Sequence, residues 1–312
     1  MRNGVFGAEG NIMQKIVTNI WSNRNAEEAG AFYAGVFPNA RSWVESRYPF
    51  EGLLEFQQGL AGEPLTVGVD IDGERITLIN AGDEFAPNPS VSLMLNFDPL
   101  DFDGDAVAAR AQLDTIWEAF ADGGSVLMPL QEYPFSARYG WVQDRYGVSW
   151  QLMLTDPEGD PRPFLIPALM FGGPVQNRAA AAVDRYLEVF EDTELGQRVP
   201  YGQPTGPANE DAVMFSDFRI GEQWFMAMDS GVEQDFSFTC GMSLEARCED
   251  QAEIDRLWEA LSAVPAAEQC GWLVDAFGMN WQIVPKNMGE LMERPNAFQH
   301  LMPMKKIIIS DI

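Results

Sequence analysis

Apolar residues along this chain change period at regular intervals, from every second position to every third or fourth and back. Residues 15–21 (KIVTNIW) read as a short buried strand. Ala29, Phe32, Tyr33, Val36 and Phe37 then fall at helical spacing, which predicts an amphipathic helix over 26–37. Asn25 is placed as its N-cap, Glu28 completes the pattern of a capping box, and Pro38 stops it. Strands are predicted over 40–48, 65–71 and 75–80, the last two joined by Asp72-Gly73, a dipeptide suited to a tight hairpin because glycine tolerates positive φ. The β-α-β-β-β pattern then restarts. A strand over 90–96 precedes a helix over 105–121, and strands over 125–130, 138–143 and 148–154 follow.

A linker of charge, glycine and proline, residues 156–163 (DPEGDPRP), separates this half from one that repeats the plan. The second half carries a strand over 164–171, a helix over 177–190, a hairpin of 212–220 with 223–228, a strand over 241–247, a helix over 250–262, and final strands over 271–275 and 279–284. The repeat is most literal where each half closes: GWVQDRYGVSWQ from Gly140 matches GWLVDAFGMNWQ from Gly271 at two glycines, two tryptophans, an aspartate and a glutamine. The chain is therefore expected to be a tandem duplication. Its parts are a loose leader over 1–14, a first domain over 15–155, the linker, a second domain over 164–286, and a C-terminal helix and tail over 287–312.

Composition narrows the partners. The chain has 312 residues and a formal net charge of -27, from 47 acidic against 20 basic residues. Such a surface repels phosphate backbones and anionic lipid, so nucleic acid and membrane are not expected partners. Three cysteines without a Cys-x-x-Cys pair argue against a disulfide framework and a structural zinc site. No basic start with an apolar run and no stretch of eighteen apolar residues is present, so a soluble cytoplasmic protein is expected.

Two β-α-β-β-β modules per half, each half closing on Asp, then Gly three residues on, then Trp-Gln, resemble the vicinal oxygen chelate superfamily of glyoxalases, extradiol dioxygenases and bleomycin-resistance proteins. The wording is closer to its PhnB-like group, also labelled the 3-demethylubiquinone-9 3-methyltransferase domain. The carrying residues are Asn25 to Ala29, Phe32-Tyr33, Phe37-Pro38-Asn39, Asp72-Gly73, Asn80, Trp117, Met226 to Ser230, Trp258 and Met304 to Ile307. The resemblance implies an α+β fold of tandem glyoxalase-like domains, each an open mixed β-barrel of two βαβββ modules, with a ligand in the barrel cavity.

Metal-dependent members hold a divalent cation with histidines and carboxylates, the last commonly a glutamate on the closing strand. This chain has Gln151 and Gln282 there, Thr18, Asn19 and Trp21 on a first strand, and Ser92 and Ser243 on the middle strands; the sole histidine is His300. Neutral amides and hydroxyls are weak ligands for such a metal, so neither a metal nor another cofactor is expected. The candidate ligand-binding residues are Trp21, Asn80, Ser92, Gln151, Asp229, Ser243 and Gln282, with Phe56, Phe85, Trp224, Phe236 and Phe238 as further aromatic candidates. Asp144 and Asp275 read as structural, and Cys270 as an inert thiol. The leading reading is a metal-independent small-molecule-binding protein or enzyme, an intramolecular pseudo-dimer in which a further homodimer stays open. Beside it stand a metal-dependent lyase or dioxygenase, a methyltransferase, and a non-catalytic structural or regulatory protein.

Overall fold

The computed structural model describes residues 14–312, apart from the side chain of Phe56. Of the expected leader, all but Gln14 lies outside the described residues. The first module has β1 (Ile16–Asn23), α1 (Ala26–Val36), β2 (Ala40–Arg47), β3 (Pro64–Ile71) and β4 (Glu74–Ala81). The second has β5 (Val91–Phe97), α2 (Ala106–Ala121), β6 (Ser125–Tyr133), β7 (Ser136–Gln143) and β8 (Ser149–Leu154). The third has β9 (Leu165–Phe171), α3 (Ala179–Val189), β10 (Thr193–Pro200), β11 (Val213–Ile220) and β12 (Gln223–Asp229). The fourth has β13 (Met242–Cys248), α4 (Gln251–Leu261), β14 (Trp272–Val274) and β15 (Asn280–Pro285), and two short helices follow, α5 (Met288–Met292) and α6 (Ala297–Leu301). Sequence patterning does not reveal β10, because TELGQRVP is a polar edge strand with one partner, β11.

The strands form two open mixed sheets, ordered β14-β15-β13-β1-β4-β3-β2 and β10-β11-β12-β9-β5-β8-β7-β6. Each sheet joins two modules, but one comes from each half: β1 pairs with β13 and β5 with β9, both antiparallel. The two open mixed sheets expected of paired modules are present, and each unites one module from each half. The first strands of repeated modules offer equivalent edges, so local pattern cannot select among them. The short linker settles the matter by returning the chain from β8 to β9 beside β5.

Helices fill the space between the sheets. Although α1 lies on β2 to β4, its Tyr33 hydroxyl donates to Asp144 Oδ2 beyond β7, at 2.8 Å. That oxygen also accepts from Trp150 Nε1 at 2.8 Å, while Oδ1 accepts from the Tyr146 and Val148 amides. The second half repeats the arrangement around Asp275, with Tyr186, Trp281, Phe277 and Met279 as donors. Gly147 and Gly278 follow with φ of 83° and 84°, a left-handed turn that glycine adopts without strain. The repeated closing motif is thus a buried carboxylate that ties a helix of one sheet to the other sheet.

The expected Asp72-Gly73 turn is present, with φ of 54° and 92°. Next to it, burial and the neighbouring Asp70, Asp72 and Glu222 push the Glu74 carboxyl up to about 7. A raised carboxyl gives stability that is full below its ordinary pKa of 4.5 and is lost as pH rises through about 7. Glu74→Gln is expected to melt with the wild type at pH 4 and above it at pH 8.5, as read by thermal denaturation across that range.

Candidate functional site

The outer faces of the sheets, turned away from the helices, carry different chemistry. On the seven-stranded sheet, alternation places Asn19 and Trp21 of β1, Arg75, Thr77 and Ile79 of β4, Ser243, Glu245 and Arg247 of β13, Trp272 of β14 and Gln282 of β15 on one face. A cavity of ≈ 1930 Å³ opens over this face, roofed by the segment after β2 and by α5 and α6, which contribute Tyr48, Leu60, Met288, Met292, Phe298 and Met302. Its walls combine aromatic rings with charged side chains, Arg41, Glu45, Arg47, Arg75 and Glu84 among them. Trp21 stands edge-on to Phe85 and Trp272, at centroid distances of 5.1 and 6.5 Å, and its Nε1 donates to Gly82 O. Opposite in the sheet, Trp43 lies over Gly68, where a Cβ would come within 2.5 Å of the indole. The Arg41 and Arg75 guanidinium groups lie 5.4 and 5.5 Å from the Trp43 ring.

The floor is polar. Glu245 accepts from Arg247 Nε through Oε1 at 2.7 Å and from Asn19 Nδ2 through Oε2 at 3.0 Å. Gln282 Nε2 donates to Ser243 Oγ at 3.0 Å. Thr77 is opposite Asn19 in the β1–β4 register, and the two are 3% and 1% exposed. Neither Thr77 Oγ1 nor Asn19 Oδ1 has a hydrogen-bond partner among the described residues. Burying a polar atom unpaired costs ~1–3 kcal/mol, so these positions are not what stability alone would select.

The eight-stranded sheet shows what the fold itself requires there. Ala168 is opposite Met226 as Asn19 is opposite Thr77, and Met94 is opposite Gln151 as Glu245 is opposite Gln282. Met94, Ala168 and Met226 are buried together with Ile166 and Tyr139, against Met128, Trp141 and Trp224. The same framework thus carries a polar floor under an open cavity on one sheet and packed apolar side chains on the other.

The candidates from sequence divide accordingly. Trp21 and Gln282 line the cavity, with Ser243 bonded to the latter. Gln151 is satisfied by the Tyr139 hydroxyl at 2.8 Å, and Ser92 by Ser149 at 2.9 Å, inside the packed face. Asn80 and Asp229 do not reach either outer face. Asn80 Oδ1 accepts from the Ala26 amide at the start of α1, and Asp229 Oδ1 from the Ala179 amide at the start of α3. Asp229 Oδ2 takes a further amide, Val213. Asn25, expected to cap α1, makes no side-chain cap bond, because Asn80 supplies it from β4. Of the aromatic candidates Phe85 lines the cavity, Phe238 packs edge-on to Phe171 in the core, and Trp224 lies under Arg162 at 4.0 Å. Cys270 borders the roof, where burial pushes its thiol up to about 11, away from a nucleophile's range. Sequence reading missed Thr77, Glu245 and Arg247; the signal was a charged pair in MSLEARC where β5 reads VSLMLNF.

A model of the family described as 3-demethylubiquinone-9 3-methyltransferase matches residues 14–153 and again 163–284. The chain belongs to this family. The putative 3-demethylubiquinone-9 3-methyltransferase, PhnB protein, of Bacillus cereus is 30% identical over 46% of this chain and 100% of its own, with a TM-score of 0.38. A glyoxalase I point mutant from Zea mays is 10% identical over 89% of this chain and 95% of its own, with a TM-score of 0.51. A putative dioxygenase from Bacillus subtilis is 13% identical over 87% of this chain and 84% of its own, at 0.46. No curated protein matches. The α+β fold of this family member is that of tandem glyoxalase-like domains. Its floor fits the superfamily's metal poorly. Glu245 is the one acid beside Asn19, Thr77, Ser243 and Gln282, both of its oxygens are held, and no cluster of three His, Cys, Asp or Glu converges among the described residues. No helix among the described residues is long and apolar enough to cross a membrane.

Proposed function

We propose that this family member binds a small organic molecule on the outer face of the seven-stranded sheet, as a metal-independent binding protein or enzyme of the cytoplasm. One observation carries the reading: equivalent positions on the other sheet are apolar and packed, so the polar floor and the cavity above it are not demands of the fold. The cavity exceeds the ~300–1,000 Å³ usual for ligand pockets and brings aromatic rings together with polar and charged groups, so it has room for an organic molecule and groups to orient it. One chain supplies all of its elements, so the site needs no second copy. The eight-stranded sheet acts as scaffold.

Native mass spectrometry of the untagged chain as purified tests this. The expected spectrum shows an organic mass retained in stoichiometric amount, lost in Glu245→Gln and kept in Gln151→Ala. A stoichiometric divalent metal, or a bare chain in every preparation, overturns the reading. S-adenosylmethionine as the retained mass replaces it with methyl transfer.

A further inference from the structure

We infer that residues 287–303, the part of the cavity roof that holds α5 and α6, form a flap that opens as one unit while both sheets stay folded, and so uncovers the floor. Admission of a ligand is the purpose that the cavity reading above gives this motion; the motion itself follows from how the segment is held.

The segment is moored at both ends. At one end the Lys286 amide donates to Cys248 O at 2.8 Å. At the other the Cys270 and Gly271 amides donate to Met304 O and Lys305 O, both at 2.7 Å, and Gln251 of α4 bonds both Ile307 O and the Ile309 amide. Between these moorings the hydrogen bonds stay within the segment or go to its C-terminal side: Arg294 donates to Ile312 O, and the Cys270 thiol reaches Leu301 O and Met302 O. Among the described residues, no hydrogen bond or ion pair joins 287–303 to a strand of either sheet or to the segment after β2. Its apolar side chains are set apart in the same way. Leu291, Ala297 and Leu301 are buried with Val284, Ile307 and Ile312 in a small cluster separate from the main core, while Met288, Met292, Phe298 and Met302 line the cavity. Where the two parts of the roof meet, Gln299 lies against Gly52, which has no side chain to grip it. With five residues each, α5 and α6 are too short to stand alone, so loss of the small cluster releases both together. Opening costs this cluster and two short helices, and leaves the ladders and the main core as they are.

Native-state hydrogen exchange of the full chain tests this without a ligand. The amides of Leu291, Arg294, His300 and Met302, all hydrogen-bonded inside the flap, are expected to share one opening constant, about 100-fold or more above that of amides in β1 and β13. Ile116→Val, in the main core on α2, supplies the contrast. A residue packed alike in the closed and open forms does not change the balance between them. The sheet amides should therefore speed up about 2- to 10-fold, while the flap amides keep their wild-type rates. Flap amides that speed up with the sheets, or that exchange no faster than β13 in the wild type, would show a single cooperative unit and overturn the flap, leaving the cavity reading intact. Flap amides that each open at a different constant would overturn concerted opening. A bare chain in native mass spectrometry together with separate flap exchange does the reverse, removing the cavity reading while the flap stands.

Discussion

Asp275→Ala is expected to lower the free energy of unfolding by about 3–5 kcal/mol, in the range for breaking a buried, fully hydrogen-bonded charge. Four donors converge on this carboxylate: the Tyr186 hydroxyl, the Trp281 indole and the Phe277 and Met279 amides. The alanine variant leaves all four without an acceptor in a site where Asp275 is 3% exposed and Trp281 is fully buried. Burial lifts the pKa of Asp275 against the pull of these donors, so the group is held by geometry at a cost in solvation. Asp144→Ala is expected to match it, since Tyr33, Trp150, Tyr146 and Val148 repeat the arrangement. Tyr186→Phe removes one donor and leaves three, and should cost only about 1 kcal/mol. Urea denaturation followed by tryptophan emission reads all three variants. A loss below about 1 kcal/mol for both alanine variants would show that the carboxylates do not bind helix to sheet.

Rewriting the floor in the chemistry of the other sheet should separate stability from binding. Asn19→Ala, Thr77→Met, Glu245→Met and Arg247→Asn, made together, reproduce the pattern of Ala168, Met226, Met94 and Asn96. Replacing a buried ion pair by apolar side chains is often neutral or stabilising by ~1–4 kcal/mol; the Glu245–Arg247 pair is partly buried, and Asn at 247 keeps one polar group, so the lower end applies. The combined variant is expected to match or exceed the wild type in urea, and to lose the organic mass that the wild type retains in native mass spectrometry as polar contacts are removed and methionines enter the cavity. A variant that loses several kcal/mol would mean that the polar floor is structural, and the comparison between sheets would no longer point to a ligand.

Several features were legible in the chain before any coordinates. The switch of apolar period located β1, α1 and their counterparts, Asp72-Gly73 marked its hairpin, and the repeated GW…D…G…WQ motif announced that the halves share one plan. Asp144 and Asp275 read as structural, and they are the points where helices are tied across the sheets. The candidate site was legible only in part. Trp21, Ser243 and Gln282 belong to the polar, open face, whereas Ser92 and Gln151 occupy the packed one, although the local motifs around the two glutamines are alike. Asn80 and Asp229 were polar residues at strand ends, and a polar strand end serves a helix start as readily as a cavity.

The sequence by itself determined the modules, the repeat and the face of each strand, because these depend on spacing along the chain and on the alternation of side chains across a strand. Tertiary structure decided which modules share a sheet, and with that which residues meet. Glu245 gains Asn19, and Thr77 joins the same floor, only because β13 lies beside β1, more than two hundred residues away in sequence. Contacts of that range are set by which edges are free once the short connections have closed, and no local pattern encodes them.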